Sequence, residues 1–151
     1  MILVVEDDEN DLTFLKMAMK NAGMTNPVRV ARDGQEVLDY FQGNGKFADR
    51  AEFPLPYLVL LDLKLPYVMG LDVLTWIRDQ PQFKSTIVIV LTSSRYIGDI
   101  GKAYQLGANA YLVKPADLNA LEGMMRTFKD FWLVQNTPPP ELAGHQNKKN
   151  L

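Results

Sequence analysis

The stretch Tyr57-Leu58-Val59-Leu60-Leu61-Asp62-Leu63-Lys64-Leu65-Pro66 constrains the fold more than any other part of the chain. Five apolar residues, Tyr57 to Leu61, run without a polar break and stop at the carboxylate of Asp62. Pro54 and Pro56 stand in front and Pro66 behind, so the run reads as a short strand rather than a piece of buried helix. A strand without polar alternation is covered on both faces, and such strands belong to parallel sheets layered between helices. Those sheets bind ligands beyond the carboxyl ends of their strands. Asp62 stands at that end. Taken alone it reads first as an ordinary turn residue, and what decides is whether other strands deliver matching groups to the same edge.

Four further runs have strand character. Ile2-Leu3-Val4-Val5 ends in Glu6-Asp7-Asp8, and Val28-Arg29-Val30-Ala31 is a shorter second strand. Ile87 to Leu91 ends in Thr92-Ser93-Ser94, and Ala110-Tyr111-Leu112-Val113 ends in Lys114-Pro115. Helical patterns follow each strand. Their apolar sides are Leu12, Leu15, Met19 and Ala22; then Val37, Leu38 and Phe41; then Leu71, Val73, Leu74 and Ile77. The fourth has Ile97, Ile100 and Tyr104, and the fifth, starting near Asp117, has Leu118, Leu121, Met125, Phe128 and Trp132. Asp8 to Asp11 supply capping and dipole-matched charge to the first helix, and Gly23 ends it. Gly98 and Gly101 each weaken the fourth helix by up to about 1 kcal/mol relative to alanine. Strict β–α alternation predicts an α/β fold with one parallel, doubly wound sheet and right-handed crossovers. The connection from Gly43 to Pro56 exceeds the usual loop of about 2–6 residues, so either the second helix extends into it or it is a surface insertion. After Val134 the chain turns polar and proline-rich, and residues 135–151 are expected to form a flexible tail behind a domain over residues 1–134.

Composition narrows the chemistry. The 151 residues suit one domain, and 47% hydrophobic residues suffice for a core. A net charge of -2 makes no electrostatic case for nucleic acid. With no cysteine, disulfides, zinc–thiolate sites and thiol nucleophiles are excluded, which fits a reducing compartment. The single histidine, His145, falls in the tail, which leaves the core without histidine catalysis. No signal segment precedes Ile2, and no apolar run approaches the roughly 20 residues of a membrane span, so a cytoplasmic protein is expected.

The polar residues at the strand ends have a common logic. Glu6 and Asp7, Asp62, Thr92 and Lys114 all project at one edge of the sheet. Each has a bland reading: helix capping for the first pair, a salt bridge to Asp62 for Lys114. Together, three carboxylates repel one another unless a cation offsets them. A hard divalent ion such as magnesium suits a small oxygen-lined site that shares its ligands with a phosphate. An aspartate can act as nucleophile and carry an aspartyl-phosphate. Phosphoryl transfer of that kind needs positioning and charge neutralisation, here from the cation, Lys114 and the Thr92 hydroxyl.

At these residues the sequence resembles a response-regulator receiver domain of two-component signalling. The matches are Ile2 to Asp8, Leu60 to Pro66 with Gly70, Val90-Leu91-Thr92-Ser93, and Gly107 to Pro115. The resemblance covers residues 2–134 and implies a flavodoxin-like sheet in the order 2-1-3-4-5. It implies that Asp62 accepts a phosphoryl group from a histidine kinase or phosphotransfer protein. It also implies that Asp7, Asp62 and the Lys64 main-chain carbonyl hold Mg2+ (or Mn2+), with Glu6 acting through water. It further implies a cis Lys114–Pro115 bond, and a switch in which Thr92 turns toward the phosphate and Tyr111 moves into the space vacated. The long Gly43–Pro56 connection and the ending Phe128-Lys129-Asp130-Phe131-Trp132-Leu133 are similar to single-domain regulators that partner phytochrome kinases.

Three departures stand out. Met69 precedes the loop glycine where an acid is common, Glu6 replaces the commoner aspartate, and Lys64 puts an extra cation beside the site. No output domain follows, so the signal is expected to leave by protein–protein contact. Met124 and Phe131 widen the apolar band of the last helix, which predicts a homodimer through the fourth helix, fifth strand and fifth helix. Rival readings fail on particular residues. An aspartate-nucleophile phosphatase needs a second aspartate where Lys64 stands, a flavodoxin-like cofactor binder needs a phosphate loop where Glu6-Asp7-Asp8 stands, and a non-phosphorylated interaction module should lack the acceptor or the lysine.

Overall fold

The computed structural model describes the backbone of residues 1–145 and the side chains of residues 1–142. Five strands, β1 (Ile2–Val5), β2 (Val28–Ala31), β3 (Leu58–Leu61), β4 (Ile87–Thr92) and β5 (Ala110–Val113), alternate with α1 (Glu9–Asn21), α2 (Gly34–Gln42), α3 (Gly70–Asp79), α4 (Ile97–Gln105) and α5 (Leu118–Phe128). The strands are parallel and ordered β2-β1-β3-β4-β5, the flavodoxin-like arrangement. The three unbroken apolar runs take the three central places, where every residue is buried.

The pleat sends alternate residues to opposite faces. Leu3, Val5, Val59, Leu61, Val88 and Val90 join Val37 and Phe41 of α2, Val73, Leu74 and Ile77 of α3, and Ala103 of α4. Ile2, Val4, Leu58, Leu60, Ile87 and Ile89 join Leu12, Leu15 and Met19 of α1 and Leu121, Met125 and Phe128 of α5. Aspartates cap three helices: Asp8 accepts from Asp11 N at 2.9 Å, Asp33 from Glu36 N at 2.7 Å and Asp117 from Ala120 N at 2.8 Å.

Several expectations are corrected. In α4 the apolar side is largely uncovered: Ile97 is 83% and Tyr104 50% exposed, Ile100 is half-buried, and only Ala103 is buried. Ala103 lets the helix sit close to the sheet, and periodicity alone does not say which side of a helix is covered. In α2, Tyr40 rather than Leu38 completes the buried face, and its hydroxyl donates to Pro54 O at 2.9 Å. The Gly43–Pro56 connection is neither a longer helix nor a loose loop. It forms a short 3-10 turn at Gly45–Ala48, and Phe47 and Phe53 pack with Tyr40 at ring-centroid distances of 4.9 and 6.1 Å. Arg50 donates to Tyr40 O and Phe41 O, both at 2.7 Å, closing the carbonyl end of α2. Arg29 of edge strand β2 lies 4.9 Å over the Phe53 ring.

No peptide bond among the described residues is cis, so Lys114–Pro115 is trans. Trans is the favoured form of an X–Pro bond by about 0.5–1 kcal/mol, and here Lys114 N donates to Thr92 O at 2.8 Å in that form. Beyond α5 the helix widens into a π turn at Lys129–Gln135. In the expected tail, Pro140–His145 form a 3-10 turn and Leu142 is buried against the α1–α5 face. The Asn147–Asn150 stretch and the His145 side chain lie outside what is described. Among the described residues no helix is long and apolar enough to cross a membrane.

Candidate functional site

Strand register builds the site. Val5 pairs with Leu61, Leu61 with Val90, and Thr92 with Val113. The next residues of β1, β3 and β5 are Glu6, Asp62 and Lys114, which emerge together. The ladder continues one residue into the site, with Glu6 N donating to Ala31 O at 3.0 Å and Asp62 N to Val5 O at 3.1 Å.

The Lys114 ammonium is the centre of the cluster. It donates to Asp62 Oδ2 at 2.7 Å, to Asp11 Oδ2 at 3.0 Å and to Glu6 Oε1. Glu6 Oε2 accepts from Asp7 N at 3.1 Å, and Asp62 Oδ1 accepts from Lys64 N at 3.3 Å. Thr92, at the end of β4, adds a hydroxyl that favours the charged form of Asp62. Thr92, Glu6 and Asp62 are all buried.

These contacts set the charges. Burial pushes the Glu6 carboxyl up to about 7, the Asp62 charge adds to that, and Lys114 pulls against both. Burial also acts to raise Asp62, but the bond and charge of Lys114, with help from Thr92, hold it below the usual carboxylate range. Burial opposes the Lys114 charge, and the bonds to Asp62 and Glu6 overcome it, leaving the ammonium above its ordinary range. The site therefore presents an ionised Asp62 beside a Glu6 carboxyl pushed up to about 7.

The cluster gathers Glu6, Asp62, Thr92 and Lys114, as the strand ends predict. Asp7 is exposed, and the Lys64 side chain points to solvent while its amide faces Asp62. Tyr111 lies further out, half-buried, donating its hydroxyl to Ser94 O at 3.0 Å. Asp11 joins unforeseen, because its sequence signal, an acid in the first turn of a helix, also describes ordinary capping. Gly70, part of the motif, and Gly34, the first residue of α2, are both sterically constrained. A Cβ on Gly70 would lie 2.3 Å from Asp62 O, and one on Gly34 would lie 1.9 Å from Val68 O. The loop that follows Asp62 is thus clamped by backbone on both sides.

The donor set fits a hard divalent cation. Glu6, Asp7 and Asp62 offer carboxylate oxygens of the kind such a cation takes. Among the described residues no group of three acidic side chains is arranged to hold a metal ion. Lys114 stands among Glu6, Asp11 and Asp62, and Asp7 turns outward.

The Glu6 carboxyl makes stability depend on pH. Its folded value, about 7, lies above its ordinary 4.5, so the folded state holds the proton more tightly. Stability is therefore full below about 4.5 and is lost as pH rises to about 7. The cost above that window is on the order of 3 kcal/mol. In metal-free buffer, Glu6→Gln should be about 2 kcal/mol more stable than wild type at pH 8 and nearly equal at pH 5. Urea unfolding at the two pH values measures this, and an unchanged slope would refute the assignment.

The family model for the response regulator receiver domain matches residues 2–126. The chain is 34% identical to the response regulator Rcp1 of Synechocystis over 138 residues, covering 91% of this chain and 92% of that one. It is 35% identical over 141 residues to the probable methanogenesis regulatory protein FilR2 of Methanothrix harundinacea, covering 91% and 86%. The crystal structure of the phosphorylated cyanobacterial phytochrome response regulator RcpA superposes with a TM-score of 0.84 at 35% identity, covering 91% of this chain and 96% of that one.

Proposed function

The chain belongs to the response-regulator receiver domain family of two-component signalling, and from that premise we propose that it accepts a phosphoryl group on Asp62 from a histidine kinase or phosphotransfer protein. The observation that carries this reading is the Lys114 ammonium, 2.7 Å from an Asp62 carboxylate held ionised at the end of β3. A carboxylate oxygen of Asp62 attacks phosphorus, the phosphorus–nitrogen bond of the donor phosphohistidine breaks, and the imidazole leaves with the electron pair. Lys114 and the Thr92 hydroxyl meet the non-bridging oxygens. Asp7, Asp62 and the Lys64 carbonyl would hold Mg2+ or Mn2+, with Glu6 acting through water; a Mn(2+)-bound form of Rcp1 is known. When bound, the cation supplies neutralising charge to the phosphoryl oxygens. The protein is a signalling domain rather than an enzyme with a released product, and a cytoplasmic place suits a kinase partner.

Thr92 turning to the phosphoryl group, and Tyr111 following it, would carry the change to α4 and β5. Output then passes by protein contact. A homodimer through α4, β5 and α5 is supported by exposed Ile97 and Tyr104 on α4, and by an apolar groove of about 410 Å³ lined by Leu112, Met124, Phe128, Phe131 and Trp132. A phytochrome-type kinase is the partner class favoured by the likeness to RcpA.

Incubation with acetyl phosphate and magnesium, followed by intact mass and light scattering, tests both parts. Wild type should gain one phosphoryl group and Asp62→Asn none. An unmodified wild type, or a modified Asp62→Asn, overturns the phosphoacceptor reading. A monomer in every state overturns the dimer.

A further inference from the structure

An ammonium has three N–H donors, and all three donors of Lys114 go to carboxylates of this chain, on Glu6, Asp62 and Asp11. For Lys114 to grip an arriving phosphoryl oxygen, one of those bonds must open. The Glu6 and Asp62 side chains are 4% and 10% exposed, whereas Asp11 is 44% exposed. The Asp11 bond is therefore the one water can replace most readily. Asp11 also lines a cavity of about 460 Å³ with Glu6, Phe14, Ser93, Arg95 and Lys114. That cavity borders the Lys114 ammonium, with Asp11 and Arg95 as further charged groups in its lining.

Resting on the phosphoacceptor reading, we infer that Asp11 is a positioning and specificity-determining residue, whose carboxylate competes with the incoming phosphoryl group for the third N–H of Lys114 and slows capture of small, strongly anionic donors. Asp11 touches neither the phosphorus nor Asp62 and acts through Lys114 and through the charge it places at the cavity mouth. The transfer itself balances without further reactants. The Asp62 oxygen bonds to phosphorus, the phosphorus–oxygen bond of acetyl phosphate breaks, and acetate leaves with the electron pair. With phosphoramidate the phosphorus–nitrogen bond breaks and ammonia leaves.

The two donors differ in charge. Acetyl phosphate is mainly a dianion near neutral pH, while phosphoramidate carries a protonated nitrogen and a smaller net negative charge. Removing one unit of negative charge near the mouth should help the first more than the second. Asp11→Asn keeps the shape and removes the charge, and the full chain with magnesium serves for the assay. Its phosphorylation rate constant with acetyl phosphate should rise about tenfold at low salt, with a clearly smaller rise for phosphoramidate. Added salt should shrink the difference, and Asp11→Glu should restore the wild-type donor ratio. A variant that merely disturbs α1 would shift both donors together, whatever the salt. Equal rates for wild type and Asp11→Asn, an equal gain for both donors, or no rescue by Asp11→Glu overturns the inference alone. A wild type that takes a phosphoryl group from neither donor overturns the phosphoacceptor reading, and this inference with it.

Discussion

Replacing Lys114 with alanine should cost about 3 kcal/mol of stability at pH 8 and abolish useful phosphoryl uptake. Glu6 and Asp62 would be left facing one another with side chains only 4% and 10% exposed and no cation between them. Breaking a buried ion pair from one side strands a charge, and the loss exceeds what the pair contributes when intact. The site has an escape at lower pH. Glu6 already stands at about 7, and losing Lys114 pushes it higher, so at pH 5 it is protonated and the damage to stability shrinks. The phosphorylation defect should not recover at pH 5, because no ammonium is there to meet the phosphoryl oxygens; a lost donor of this kind costs about 10²–10³ in rate. Urea unfolding at both pH values and acetyl phosphate uptake by intact mass separate the two effects. A Lys114→Ala protein as stable as wild type at pH 8 would contradict the charge assignment.

Alanine at Gly70 or Gly34 should each cost about 2–3 kcal/mol and slow phosphorylation together with it. Alanine is the better helix former by about 1 kcal/mol, so propensity alone predicts a gain. Space decides otherwise. The added carbon at Gly70 would lie 2.3 Å from the carbonyl oxygen of Asp62, and at Gly34 1.9 Å from that of Val68. Both obstacles are main chain, and no rotamer change relieves them. The loop between Asp62 and α3 must move, and with it the Lys64 carbonyl. Both substitutions push on one loop, so the double variant should lose less than the sum of the two. Gly101→Ala is the control, since nothing lies within 4 Å of its new carbon. It should be neutral or up to about 1 kcal/mol more stable. Thermal unfolding of the set checks the order, and a Gly70→Ala protein more stable than wild type would refute the clamp.

Much of this was legible in the chain. Unbroken apolar runs such as Leu58–Leu61 and Ile87–Leu91 mark strands with no wet face, and their central places in the sheet follow. Asp62, Thr92 and Lys114 each sit at or just past a strand's end, so position along the chain already implied one shared edge. Which side of α4 is covered is not legible in the chain, because Ile97, Ile100 and Tyr104 make the same pattern whether the sheet lies beneath them or solvent does. The packing of the Gly43–Pro56 connection is not legible in the chain, because aromatic contacts such as Tyr40 with Phe47, at 4.9 Å, have no periodic signature.

The order of residue types along the sequence determined the fold class, the edge that carries chemistry and the groups available there, because burial periodicity and strand ends are local properties of a chain. Which carboxylates share the Lys114 ammonium was decided only by tertiary structure. Asp7 and Asp11 flank the same helix start, yet Asp11 bonds the lysine and Asp7 faces water. The distinction rests on how α1 is seated against β1 and β5, where a difference of a few ångströms separates a charge-assisted hydrogen bond from a solvated acid.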